Sequence, residues 1–304
     1  MNTDVETPDG RTRLLRRSPH AVAVAEALFV TVLWSSSYVL IRTGLDAIPA
    51  LTFAGLRYAL AATLLWPLLL GREGLSSIRG LSRREWTVLG SLGLTMYAMT
   101  QGAQFVALAS LRAATVSLAL TLTPVAVAAA GIVALGERPT VRQWVGIAVL
   151  LVGVGLYLGP VAPSGDRVGL AAAAVALGGN ATAALLGRAV NRGGPSPLAV
   201  TTLSMSLGGG LLLAVGASVQ GVPALSTESW LVVGWLAVVN TAFAFTLWNR
   251  TLRTLSAVES SVINNTMLVQ VALLGWLFLD EPLSPTAWFG LLVAALGALV
   301  VQRR

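Results

Sequence analysis

The chain has 304 residues, 55% of them apolar and only 11% charged, against the roughly 25% charged residues of a soluble domain. So few charges exclude a fully water-exposed surface, and apolar runs long enough to cross about 30 Å of hydrocarbon recur along the chain, so this is a polytopic membrane protein. The formal charge is +7 and every basic residue is Arg, with no Cys and a lone His20. That inventory excludes disulfides, His/Cys metal clusters and His- or Cys-based catalysis, and the arginines serve as topology signals rather than as a nucleic-acid footprint.

Residues 1–20 read as a disordered cytoplasmic tail ending in an Arg cluster. The apolar segment after it continues to about Ile41, too long for the h-region of a cleavable signal peptide, so it is an uncleaved first span. Breaking the chain at charges, Pro clusters and turn signals predicts ten transmembrane helices. They lie at 21–41, 49–70, 86–107, 113–134, 141–159, 167–187, 197–217, 230–249, 257–279 and 286–302.

The fifth and tenth of these open with the same phrase. LGERPTVRQWVGIAVLLVG (135–153) and LDEPLSPTAWFGLLVAALG (279–297) share Leu-x-Glu, a nearby Pro, Trp-x-Gly and a final Gly. Glu137 recurs as Glu281, Trp144 as Trp288 and Gly153 as Gly297, a constant shift of 144 positions. Leu108, Ser117 and Val125 also recur at that shift, as do Trp86 and Gly90, whereas the first two spans of each half align weakly. The chain therefore reads as two five-helix repeats, 21–159 and 160–304.

An odd number of spans per repeat makes the second copy enter the membrane upside down. The arginines agree. They crowd the tail, the connection at 71–85, Arg138/Arg142, Arg188/Arg192, Arg250/Arg253 and Arg303/Arg304, leaving only Arg42, Arg112 and Arg167 in connections on the other side. With the positive side cytoplasmic, both termini are cytoplasmic and the protein is a multi-pass protein of the cell (inner) membrane.

These residues resemble the EamA-type carriers of the drug/metabolite transporter superfamily. The resemblance rests on two halves ending in Leu-x-Glu…Gly…Gly, on LWSSSYVLIR (33–42) in the first span, with Ser35 in place of the usual Gly, and on LRYALA (56–61) in the second. LTPVAVAAAGIVALGE (122–137), with Pro124, completes it in the fourth, and the match covers residues 21–302. Leu268 stands where the family often has a second proline. The resemblance implies an all-α basket of helices around a central cavity, and export or facilitated movement of small metabolites, amino acids or drugs.

A cavity for a small amphipathic solute needs a few hydrogen-bonding groups on apolar and aromatic walls. The mid-span residues that supply them are Trp34, Ser37, Tyr38, Tyr97, Gln101, Ser117, Thr121, Asn180, Thr241, Phe245, Asn264 and Asn265. Tyr97 and Gln101 are one helical turn apart, as are Ser117 and Thr121; under the repeat shift they match Thr241, Phe245, Ser261 and Asn265. Ser and Thr have an alternative use in bonding their own helix backbone.

Glu26 and Glu259 sit in first turns, where the helix dipole favours a carboxylate; gating or proton relay is the functional alternative. Arg57 either snorkels to the outer interface or pairs inside the bundle. Glu137 and Glu281 are placed to accept orphan N–H groups of the next helix. The glycines seven apart after Trp144 and Trp288 suit close helix packing, with a dimer face as the alternative.

The reading is a transporter of a small metabolite, an amino acid or similar amphipathic solute, moved outward by alternating access. A proton-coupled multidrug exporter and a non-transporting receptor or accessory subunit are the rivals. It predicts no enzyme activity, no cofactor, no metal and no nucleic acid. The expected partners are a small-molecule substrate and the lipid bilayer, in a monomer or weak homodimer.

Overall fold

The computed structural model describes residues 19–123, 125–126, 140–158, 166–191, 195–251, 254–255 and 263–302. Residues 1–18 of the expected tail, Pro124, Glu137, Glu259 and Ser261 lie outside the described residues. All regular structure among the described residues is helical. Four helical stretches, Pro19–Gly44, Ala50–Glu73, Pro197–Gln220 and Thr227–Trp248, are long and apolar enough to cross a membrane, and shorter apolar helices accompany them.

Helix α1 (Pro19–Gly44) begins two residues before the expected first span and buries Ala23, Ala27, Val30, Tyr38 and Ile41, a stripe at helical spacing. It stops at Gly44, where an added Cβ would run into the Phe53 ring. Pro49 then starts α2 (Ala50–Glu73), accepting from the Phe53 N–H at 2.8 Å. A short turn, α3 (Ser76–Arg79), leads to α4 (Arg83–Leu92). Ser82 caps α4 in a capping box with Glu85. The Ser82 hydroxyl and backbone N–H both donate to Glu85 and hold its carboxyl below the usual carboxylate range.

From α4 the chain continues through a π-helical segment (Gly93–Gln101) into α5 (Gly102–Ser110). Then follow α6 (Ala113–Thr121), α7 (Val141–Leu158), α8 (Arg167–Asn191) and α9 (Pro197–Gln220). After them, α10 (Thr227–Ala237) leads through a second π segment (Val238–Phe243) into α11 (Ala244–Thr251), and α12 (Met267–Phe278) and α13 (Pro285–Gln302) complete the chain.

Element boundaries carry a regularity that residue identity hides. Helices α7 and α13 are related by a shift of 144 at both ends, and α2 and α9 by 147 at both ends. The connection before α10 is three residues shorter than the one before α4 (221–226 against 74–82), which accounts for the change. That slip is why the early spans align weakly at a single shift. Both π segments occupy corresponding places in their halves. Helix interruptions also match, at Leu122 and Thr266, each a turn closed by an i−3 bond of 3.1 and 3.0 Å. The second interruption forms without the family's proline at Leu268.

Among the described residues, three pairs of helical segments meet backbone to backbone. In one of them the first π segment meets α9, where a Cβ on Gly208 would overlap the Gly93 carbonyl. In the α7–α13 seam, a Cβ on Gly153 would overlap the Ala294 backbone, and one on Gly297 the Leu150 backbone. The Trp-Gly-Gly stripes therefore serve packing within the chain. Trp144 itself points out of that seam, 55% exposed. Across α2–α9, Gly55 abuts Leu213, and Gly209 and Gly216 abut Tyr58 and Thr52.

Glu281 departs from its expected use. Asp280, in the left-handed region at φ 51, ends α12 and turns the chain back, so that the Glu281 N–H bonds Gly275 at 3.2 Å. The Glu281 carboxylate then accepts from the Ala113 N–H at 3.0 and 3.1 Å. It caps α6 of the other half rather than the next helix, α13.

Candidate functional site

Residues from α1, α2, the first π segment, α5, α6, α8, α11 and the chain at 264–268 enclose a cavity of about 200 Å³. Its wall carries ten of the sequence-predicted positions: Trp34, Ser37, Tyr38, Gln101, Ser117, Thr121, Asn180, Phe245, Asn264 and Asn265. Tyr97 and Thr241 do not line it. Tyr97 is buried behind the wall, its ring centroid 5.5 Å from Tyr58 and 6.3 Å from Phe245. The π segment is the reason: its wider turn breaks the i, i+4 spacing that would carry Tyr97 and Gln101 on one face. Met96, Thr100, Gln101 and Gln104 face the cavity instead.

Several expected hydroxyl donors are spent on the backbone. Ser37 donates to the Trp34 carbonyl at 2.5 Å and Thr121 to the Ser117 carbonyl at 2.9 Å, leaving lone pairs for the cavity. The Tyr58 hydroxyl donates to Gln101 Oε1 at 2.7 Å, and Asn180 Nδ2 to Thr123 Oγ1 at 3.0 Å, so both amides are held in orientation. Trp34 forms an aromatic wall with Phe245 and Trp248, each centroid 5.1 Å away.

Arg57 pairs inside the bundle and does not snorkel. It is 3% exposed and lines the cavity. Its Nε donates to Thr241 Oγ1 at 2.8 Å, one terminal nitrogen donates to the Asn240 carbonyl at 3.4 Å, and its guanidinium lies 5.1 Å from the Tyr58 ring centroid. Thr241 in turn donates to the carbonyl of Leu236, five residues back, as Thr100 does to Thr95 in the first π segment. Thr241 thus acts one layer out, holding Arg57. Asn240, which the sequence reading passed over, donates to the Leu33 carbonyl and to Ser36 Oγ at 3.2 Å, and ties the second π segment to α1 beside Trp34.

Glu26 stands away from the cavity wall, in an ion pair with Arg250 of 3.3 Å. Residues missed by the sequence reading include Tyr58, Thr100 and Gln104 on the wall and Gln270 behind it. Gln270 accepts from Ser35 at 2.8 Å and donates to Thr31 and Thr266, joining α1 to α12. Ser35, the departure from the family's Gly, has found a partner there. Three buried donors have none: Trp34 Nε1, Asn265 Nδ2 and, away from the cavity wall, the Thr202 hydroxyl make no hydrogen bond among the described residues. The Asn240 Oδ1 acceptor makes none either.

Comparison with known proteins places this geometry. The EamA-like transporter family matches twice, over residues 22–159 and 168–303. An S-adenosylmethionine/S-adenosylhomocysteine transporter of Chlamydia trachomatis is 26% identical over 284 residues, covering 88% of this chain and 85% of that protein. The putative permease-like protein YdzE of Bacillus subtilis is 36% identical over 67 residues, 22% of this chain and 86% of that protein. A crystal structure with 22% identity superposes with a TM-score of 0.66, covering 92% of this chain and 97% of its own, and supports the fold. With two copies of the family domain and apolar helices throughout, the chain belongs to the EamA-like transporter family and is a multi-pass membrane transporter.

Proposed function

We propose that the protein is a ten-span carrier built as two inverted five-helix repeats, which moves an amino acid or similar amphipathic metabolite outward by alternating access. The observation that carries this is the cavity, enclosed by helices of both family domains and combining an aromatic wall with fixed amides. Its volume of about 200 Å³ is below the roughly 300–1,000 Å³ of drug-sized pockets, which favours a small metabolite over a multidrug substrate. The solutes named for the chlamydial relative are amino-acid derivatives, which supports the solute class although they are larger than this cavity.

Matching π segments and helix interruptions support the repeat, and the arginine distribution supports its inversion, with both termini cytoplasmic in the inner membrane. Glu26 is paired with Arg250 and no carboxylate lines the cavity among the described residues. We take movement to be down the solute's own gradient, or at most weakly proton-coupled, with Glu26 and Glu259, the latter outside the described residues, as the groups to suspect. Proteoliposomes of the purified protein test the reading: net movement of L-methionine, L-phenylalanine or L-threonine above protein-free vesicles is expected, and none supports the receptor alternative. Uphill accumulation driven by an imposed pH gradient would reinstate the proton-coupled rival. Topology has its own check. A cysteine at exposed Leu75 is shielded from an impermeant maleimide in intact cells and one at exposed Val222 reacts; the reverse pattern removes the orientation.

A further inference from the structure

Arg57 is the one formally charged side chain among the described residues lining the cavity. Its two hydrogen-bond partners, Thr241 and the Asn240 carbonyl, are neutral, and Tyr58 offers only a ring face. No carboxylate among the described residues pairs with it. Buried charges are ordinarily paired with an opposite charge, because desolvating an ion is costly. On the same wall, Trp34 and Asn265 each hold a buried N–H donor with no acceptor, a condition that most buried polar groups avoid. One cation and two residues with unpartnered donors share the wall of a small cavity that, among the described residues, offers them no anion.

We infer that the cavity receives the carboxylate end of its solute, with Arg57 supplying the opposite charge and the Trp34 indole N–H and Asn265 amide as orienting donors. The inference rests on the transport reading above and adds a chemical selectivity to it. A carboxylate accepts only, through two oxygens with about four lone-pair sites, which is enough in number for the three donors. A phosphate dianion matches a single arginine less well in charge. A cationic amphiphile meets the wrong sign. The solute's apolar part then lies along Trp34 and Phe245, whose rings are tilted against each other at 54° with centroids 5.1 Å apart.

Counterflow in proteoliposomes tests this with matched probes. L-methionine, L-phenylalanine and L-threonine are each compared with their own carboxamide and their own decarboxylated amine, with inorganic phosphate as competitor. At least one acid exchanges, and its amide and amine exchange about tenfold or more slowly, the size expected for losing a charge-assisted hydrogen bond. Arg57→Gln brings the acid-to-amide ratio toward one, and Arg57→Lys retains part of the preference. Trp34→Phe keeps an aromatic face but removes the indole N–H and part of the ring. Its KM values for the acid and for the matched amide are therefore compared, a lost ring contact alone raising both alike. The substitution raises the KM for the acid about fivefold at equal reconstituted protein, which keeps the test valid if Arg57→Gln folds poorly. Acid and amide exchanging equally, a ratio unchanged in Arg57→Gln, or phosphate competing better than every acid would each overturn the carboxylate site and leave the transporter reading standing. Failure of every compound to move overturns both.

Discussion

The α7–α13 seam and the cavity wall are built from corresponding stretches of the two halves, yet they have treated their residues in opposite ways. In the seam, Gly153 and Gly297 are the same residue in both copies, each against the partner helix's backbone. On the cavity side, Gln101 corresponds to Phe245 and Thr121 to Asn265. In this seam only the smallest residue fits at either position, so the copies stay alike there, whereas the equally close α2–α9 contact uses glycines, Gly55, Gly209 and Gly216, that do not recur in the other copy. Where a small asymmetric solute must be held, one side supplies amides and the other an aromatic ring. The α7–α13 seam keeps its matching glycines, while these two cavity pairs have diverged, although the cavity residue Ser117 still matches Ser261.

Breaking the seam is the severest way to test that contrast. Gly153→Leu forces a side chain into the Ala294 backbone, and overpacking typically costs about 1–3 kcal/mol or more when the backbone must move. The expected outcome is loss of folded protein from the membrane fraction, read by fluorescence-detected size exclusion in detergent. Arg57→Met comes next, expected to remove most solute movement while leaving a large part of the protein folded. Asn265→Leu is milder: one lost hydrogen-bond partner is worth about 1–3 kcal/mol, roughly 5- to 150-fold in affinity, with normal insertion. Glu26→Gln should be smaller still. Its partner Arg250 is 70% exposed, and exposed pairs are worth about 0.2–1 kcal/mol. A Glu26→Gln variant that loses transport as fully as Arg57→Met would move the working site from the cavity to the Glu26–Arg250 pair.

How much of this was legible depended on what carried the signal. The identities that mark the repeat run from Trp86 to Gly153 and include the seam glycine Gly153 and its match Gly297, where side-chain choice is narrow, so the seam could be read from the sequence. The first two spans could not be matched, because the connection before α10 is three residues shorter and identity outside the seam is low. Ten cavity residues were legible because a polar or aromatic side chain in mid-span has few other uses. Tyr97 misled for a definite reason: the π segment changes the spacing of its helix, and neither a proline nor any other residue between Gly93 and Gln101 announces it. Glu281 misled because its partner, Ala113, is distant in sequence. The pairing of Ser35 with Gln270 was hidden for the same reason.

Trp144 sharpens the comparison from its weak end. It belongs to the repeat motif but stands outside the seam, so Trp144→Ala should change stability by less than any seam substitution and leave solute preference untouched. This separates the motif's glycines, which hold the helices together, from its tryptophan, which faces outward.

The cavity handles the solute, and the repeat motif shapes the protein around it. The most direct measurement is amino-acid counterflow in proteoliposomes carrying wild type, Asn265→Leu or Trp144→Ala at equal reconstituted protein. The account predicts wild-type rates for Trp144→Ala and at least a fivefold higher KM for Asn265→Leu. Equal kinetics for Asn265→Leu and wild type, or a larger loss in Trp144→Ala, would contradict it.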